Sequence, residues 1–150
     1  MPDTGDLLVV VPCHQSKIWD RHPHAGPTPA KEAYAGPPFK VNRGFAERFG
    51  DMWVILSAKF GFLLPEDEVP GPYNITFKFP ATHPIQFDSL MQPVTGRGLN
   101  GFQTVIGLGG ADYRRAIEAA FSETNCRLLF PFAGLSLGRQ MGAVKRATLS

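Results

Sequence analysis

The sequence predicts an α/β protein, a three-layer α/β/α sandwich built on a mostly parallel four-stranded sheet. Three observations in the 150-residue chain carry that expectation. Four short, continuous apolar runs, Leu7–Val11, Trp53–Leu56, Thr104–Leu108 and Arg127–Phe130, read as strands covered on both faces. Stretches of helical apolar spacing separate them. Each run then empties into a turn of small or polar residues. Alternating strands and helices favour parallel pairing with right-handed crossovers. The length fits one domain, 1–150, with a core of its own.

Taken in order, the first run ends in Pro12-Cys13-His14-Gln15-Ser16-Lys17. The segment Trp19–Pro38 carries five prolines and reads as an ordered loop, with a helical turn around Ala30–Tyr34. In Phe39–Phe49 the residues Val41, Phe45, Ala46 and Phe49 fall near helical spacing. The second run leads into Ile55–Tyr73, which reads as a loop dense in reactive side chains. Pro84–Pro93 is expected to hold a short helix, with Asp88 near its start. The third run enters a helix over Ala111–Phe121, and the fourth precedes a helix over Gly138–Ala147.

Fifteen basic residues against thirteen acidic ones leave a net charge of +2. A balance that mild argues against a chain-wide polyelectrolyte surface, though not against a local patch. Cys13 and Cys126 stand too far apart for a metal motif and read as reduced thiols. The acidic start MPDTGD does not resemble a leader, and Leu7–Val11 is too short to span a bilayer. A cytoplasmic protein without membrane contact is expected. His14, His22, His24 and His83 lack ligand spacing, so no metal is expected, and no cofactor.

The strand exits are where chemistry is expected, because open α/β sheets bind ligands just outside the carboxyl ends of their strands. Cys13 follows the first strand, where His14 and Lys17 would favour its thiolate. Lys17 reads as an anion contact. At the second exit Ser57 and Lys59 read as substrate contacts, and Gly61 as a turn glycine. Glu66 or Asp67 reads as a general base or water activator, and Tyr34 or Tyr73 as a platform for a base. Gly109 and Gly110 permit close approach of a ligand to a helix start, without the dinucleotide fingerprint. Ser136 suits a helix cap, and Arg139 in the following turn reads as an anion clamp. Four turns distant in sequence are thus expected to converge on one site.

Val11-Pro12-Cys13 with Lys17, Ala33–Lys40, Ile55–Gly61, Pro72-Tyr73 and Gly134–Gly138 resemble a family of small uncharacterised bacterial and phage proteins with a domain of unknown function. Tyr34-Ala35-Gly36 and the spaced residues Phe60-Gly61, Leu63, Pro65, Asp67 and Pro72-Tyr73 are more distantly similar to the YaaA peroxide-stress proteins. That group is associated with DNA binding. The Pro12-Cys13 start and the Leu56-Ser57 exit also resemble the uracil-DNA-glycosylase-like domain of archaeal tRNA-modifying enzymes. These resemblances imply a parallel sheet with a base- or nucleotide-binding edge. Cys13 and His14 stand where the glycosylases carry their water-activating acid. The helical DNA-binding insertion expected of YaaA proteins has no room in this length.

The functional expectation is a protein that binds a nucleotide, nucleoside or base, with N-glycosidic bond hydrolysis or transfer as its chemistry. In that scheme Cys13, Glu66 and Asp67 are catalytic. Two other readings stand beside it. One is a DNA- or RNA-binding module using Lys40, Arg43, Arg114 and Arg115 on phosphates. The other is a scaffold or partner-binding subunit.

Overall fold

Strand β1, Leu7–Pro12, is the centre of the sheet, and its alternation explains the packing on both sides. A computed structural model describes residues 6–150. Met1–Gly5, on which the reading of the acidic start largely rests, lie outside them. Leu8 and Val10 join a cluster with Val54, Leu56, Val105, Ala116, Ile117 and Ala120. Val9 and Val11 point into another with Phe39, Phe45, Ala46, Ile55 and Val144. A strand sends successive side chains to opposite faces, so a run of consecutive valines fills two cores at once.

Helix α2, Pro37–Phe49, connects β1 to β3, Met52–Ser57, and packs on the Val9 face with α5, Leu137–Leu149. The Val10 face takes α3, Met91–Gly96, and α4, Ala111–Ala120. Strands β6, Thr104–Gly107, and β7, Arg127–Leu129, complete the parallel set. These are the four expected strands, with no end shifted by more than one residue.

The sheet has five strands, not four, in the order β4-β3-β1-β6-β7. The extra strand β4, Gly61–Leu63, folds back antiparallel on β3 and pairs Ser57 with Gly61. Gly61 makes the reversal at φ +77°, a region that a larger residue resists. Phe62 and Leu63 are then buried against the core. Three residues are too few to display strand alternation, which is why this stretch reads as loop in the sequence.

Two further short strands, β2, Thr28–Pro29, and β5, Glu68–Val69, form a separate antiparallel ladder. The single turn of α1, Ala30–Ala33, follows β2 within the expected ordered loop. The helix expected over Pro84–Pro93 appears instead as a 3-10 turn, Phe87–Leu90, running into α3. Among the described residues no helix is long and apolar enough to cross a membrane.

Strand β1 pairs with β3 on one side and β6 on the other. The chain therefore leaves β1 in one direction across the sheet and later returns to lay β6 against its opposite edge. That reversal opens a crevice at the carboxyl ends of β1 and β6, the place where ligands of such sheets bind.

Candidate functional site

Cys13 is the first residue beyond β1, and its backbone N–H still donates to the Leu56 carbonyl, at 3.0 Å. The ladder thus fixes the side chain at the sheet edge. Its Sγ lies 3.2 Å from the Tyr113 hydroxyl, in the first turn of α4. Two cavities, of about 250 and 210 Å³, meet at this pair. Cys13, His14, Gln15, Thr76, Lys78 and Tyr113 line both. The smaller reaches Gly109, Gly110, Asp112 and Gln140; the larger reaches Lys17, Asn74 and Phe79. The crevice at the strand-order reversal is therefore a lined hollow.

The β6–α4 turn is held rigidly. Gly109 sits at φ +112°, and a Cβ there would approach Pro12 Cγ to 2.9 Å. Its N–H donates to Gln140 Oε1 at 3.2 Å. Gln140 Nε2 donates to the carbonyls of Gly109, at 3.4 Å, and Phe132, at 3.0 Å. The Arg114 guanidinium donates to the same Gly109 carbonyl at 3.0 Å. One amide side chain on α5, 6% exposed, thereby ties the floor of the site to both neighbouring turns.

His14 lines both cavities, and its Nε2 is buried without a hydrogen-bond partner among the described residues. Burial, and secondarily the Lys17 charge, lower its pKa to about 4. The imidazole is therefore neutral near pH 7, with one ring nitrogen available to an occupant.

Lys17 is only 6% exposed. Its ammonium donates to the Gln15 carbonyl at 3.1 Å and lies 4.4 Å from the centroid of the Tyr73 ring. Burial lowers its pKa, opposed by Cys13 and Asp20. Behind it runs a chain of hydroxyls. Tyr73 hydrogen-bonds to the Tyr34 hydroxyl and, at 2.8 Å, to Ser57 Oγ. Ser57 Oγ also accepts the Lys59 and Phe60 amides, each at 3.1 Å. Burial raises the pKa values of Tyr34, Tyr73 and Tyr113, so all three phenols stay neutral at physiological pH.

The expected site residues therefore divide. Cys13, Lys17, Gly109 and Gly110 line the paired cavities. Tyr34, Ser57 and Tyr73 form the wall behind Lys17. Tyr34 is 1% exposed and packs on Phe39, so its ring offers no face to a base. Lys59 is exposed and lies 5.4 Å from the Tyr73 ring centroid, outside both cavities. Ser136 caps α5 by accepting the Arg139 N–H at 3.4 Å. Arg139 is exposed, and Leu137 and Gln140 of the same helix line the smaller cavity instead.

Glu66 and Asp67 stand apart from these cavities. Glu66 pairs with Lys31 at 3.0 Å. Asp67 accepts the Leu64 N–H at 2.8 Å and pairs with Arg97 at 3.0 Å. The cause is local. The Ala30 and Lys31 amides donate to the Asp67 and Pro65 carbonyls, at 2.7 and 3.0 Å, docking this acidic stretch on α1.

Sequence reasoning passed over Thr76, Lys78, Phe79 and Gln140. Gln140 lies four residues beyond Ser136, on a helical face that spacing alone could have revealed. Phe79 had only its place beside Lys78 to mark it.

Comparison with known proteins places these residues in a wider setting. A family model described as a family of unknown function (DUF6884) matches residues 8–146, a span that contains every residue lining the two cavities. The chain is also 36% identical over 141 residues to the uncharacterized protein YfjM of Bacillus subtilis (strain 168), covering 93% of each. No solved structure matches the chain.

Proposed function

The chain belongs to this family of unknown function (DUF6884), and we propose that it binds a nucleobase-bearing ligand in the paired cavities at the ends of β1 and β6. The observation that carries the reading is a lined hollow at the reversal of strand order. Its lining has the chemistry of base recognition. Gln15, Asn74 and Thr76 present donors and acceptors, and the neutral His14 brings an unpartnered nitrogen. Phe79, 56% exposed on the rim, offers an aromatic face. Lys17 and Lys78 supply positive charge for a phosphate.

The distant similarities to YaaA proteins and to the glycosylase-like domain belong with this reading, since their motif pieces meet around Lys17, Tyr34, Ser57 and Tyr73. We read the helices on both sheet faces as a three-layer sandwich for the same reason, with α2 and α5 opposing α3 and α4. Two free thiols fit a cytoplasmic setting. Hydrolysis or transfer at an N-glycosidic bond asks for a carboxylate to activate water or to stabilise an oxocarbenium charge. Asp112, which pairs with Arg115, is the one carboxylate among the described residues that line the two cavities, so in this reading it takes the role first assigned to Glu66 or Asp67.

A thermal-denaturation screen against bases, nucleosides and nucleotides tests the proposal. A ligand at a hundredfold excess over its dissociation constant stabilises the fold by about 2.7 kcal/mol. Phe79→Ala, at an exposed position, should leave the unliganded melting temperature unchanged and weaken the bound compound by about 1–3 kcal/mol through lost stacking. A flat screen, or a hit indifferent to Phe79→Ala, counts against the assignment.

A further inference from the structure

A third hollow, of about 490 Å³, opens on the other side of Lys17. Lys17 lines both this cleft and the larger of the paired cavities, so one buried ammonium stands where the two meet. The cleft is lined by five cations, Lys17, Arg21, Lys31, Lys40 and Arg43, and by two carboxylates, Asp20 and Glu32. Its local excess of positive charge is larger than the net +2 of the whole chain. The charge is therefore gathered at one concavity, where it focuses the field on an anionic partner.

Three of the five cations are already engaged. Arg43 pairs with Glu47 at 3.1 Å and donates to the Lys31 carbonyl, Lys31 pairs with Glu66, and Lys17 donates to Gln15. Arg21 and Lys40 form no ion pair and no side-chain hydrogen bond among the described residues. These cations come from separate places in the fold. Arg21 follows the 3-10 turn Ile18–Asp20, Lys31 is on α1, and Lys40 and Arg43 are on α2. Charges spread along a cleft suit a chain of phosphates better than a single anion.

We propose that this cleft holds the phosphodiester backbone of a single-stranded nucleic acid, one base of which enters the paired cavities past Lys17. The inference rests on the base-binding reading above and names its substrate class. A single strand is favoured because a base inside a duplex must first leave its stack to reach the hollow beside the sheet, at an energetic cost. Arg21 and Lys40 are the phosphate contacts, and Lys17 joins the backbone site to the base site. No bond is made or broken in the step.

Fluorescence anisotropy tests it with three labelled probes of about 12 nucleotides, within the ~4–16 that single-strand grooves cover. They are an oligothymidylate, an abasic deoxyribose-phosphate strand and a duplex. The oligothymidylate should bind more tightly than the duplex, and the abasic strand should bind measurably. Between about 50 and 200 mM salt the affinity should fall with a log–log slope of about −0.7 per phosphate contacted. The double variant Arg21→Glu/Lys40→Glu should weaken both single strands at least tenfold. Arg21→Gln/Lys40→Gln should weaken them less and flatten the slope by about 1.4. Nucleoside binding, followed separately, should not change in either variant.

Unchanged strand affinity in both folded variants overturns the proposal, as does a duplex that binds as well as the single strand. Nucleoside binding without abasic-strand binding removes the cleft assignment and spares the base site. Abasic-strand binding lost on Arg21→Glu/Lys40→Glu, with no nucleoside binding, supports the backbone cleft while sinking the base-binding reading.

Discussion

Folding stability should fall by about 3 kcal/mol between pH 6.5 and pH 4 on account of His14 alone, and His14→Gln should remove that part of the slope. In the fold the imidazole has a pKa of about 4, lowered first by burial and then by Lys17 from the ordinary histidine value of 6.5. Between those values the unfolded chain binds a proton that the folded chain refuses. The contribution is therefore complete above pH 6.5, declines as the pH drops, and stops changing below about 4. Carboxylates add their own acid losses, so the quantity to read is the difference between urea-unfolding curves of the two proteins across that range. Curves that stay parallel from pH 7 to pH 4 would show that His14 is not held neutral. The same neutrality matters for the site, because an imidazolium cannot accept a hydrogen bond from an occupant.

Gln140→Leu is expected to cost about 3 kcal/mol of stability and to loosen the site floor with it. The substitution keeps an apolar body of similar length but removes the partners of Gly109 N–H, Gly109 C=O and Phe132 C=O. The Gly109 carbonyl retains Arg114. The N–H is left buried, and an unsatisfied buried group costs about 1–3 kcal/mol. Gln140→Glu restores the acceptor for Gly109 N–H but sets a buried carboxylate against the Gly109 and Phe132 carbonyls, and should also lie below wild type. Chemical denaturation measures the series. A loss below about 0.5 kcal/mol for Gln140→Leu would mean that Gly109 is held by the backbone alone. Ligand affinity should decline along the same series, because Gly109 and Gly110 line the smaller cavity.

How much of this was legible in the chain depends on the length of each signal. β1 and β3 were visible because continuous branched runs such as Leu8–Val11 signal burial on both faces. β4 was not, because Gly61–Leu63 is too short for any period and its partner lies just across the three-residue turn Ala58–Phe60. At the site, Cys13, Lys17 and the Gly109-Gly110 turn were marked by position at strand ends. Glu66 and Asp67 were marked by charge, and charge does not reveal a partner. Lys31 and Arg97 are distant enough in sequence that only the β2–β5 ladder and α1 bring the first of these ion pairs about. Tyr34 and Tyr73 were chosen as stacking rings, whereas burial made them a hydroxyl chain. Phe79 was overlooked because an exposed aromatic in a long connection has no pattern to belong to.

The most direct measurement is a backbone-amide chemical-shift titration of the isotopically labelled protein with the best nucleoside from the thermal screen. Saturable shifts should cluster at Cys13–Lys17, Asn74–Phe79 and Gly109–Tyr113, three segments distant in sequence that line the paired cavities. Shifts confined to other surfaces, or none at millimolar ligand, would mean that the crevice does not receive a base.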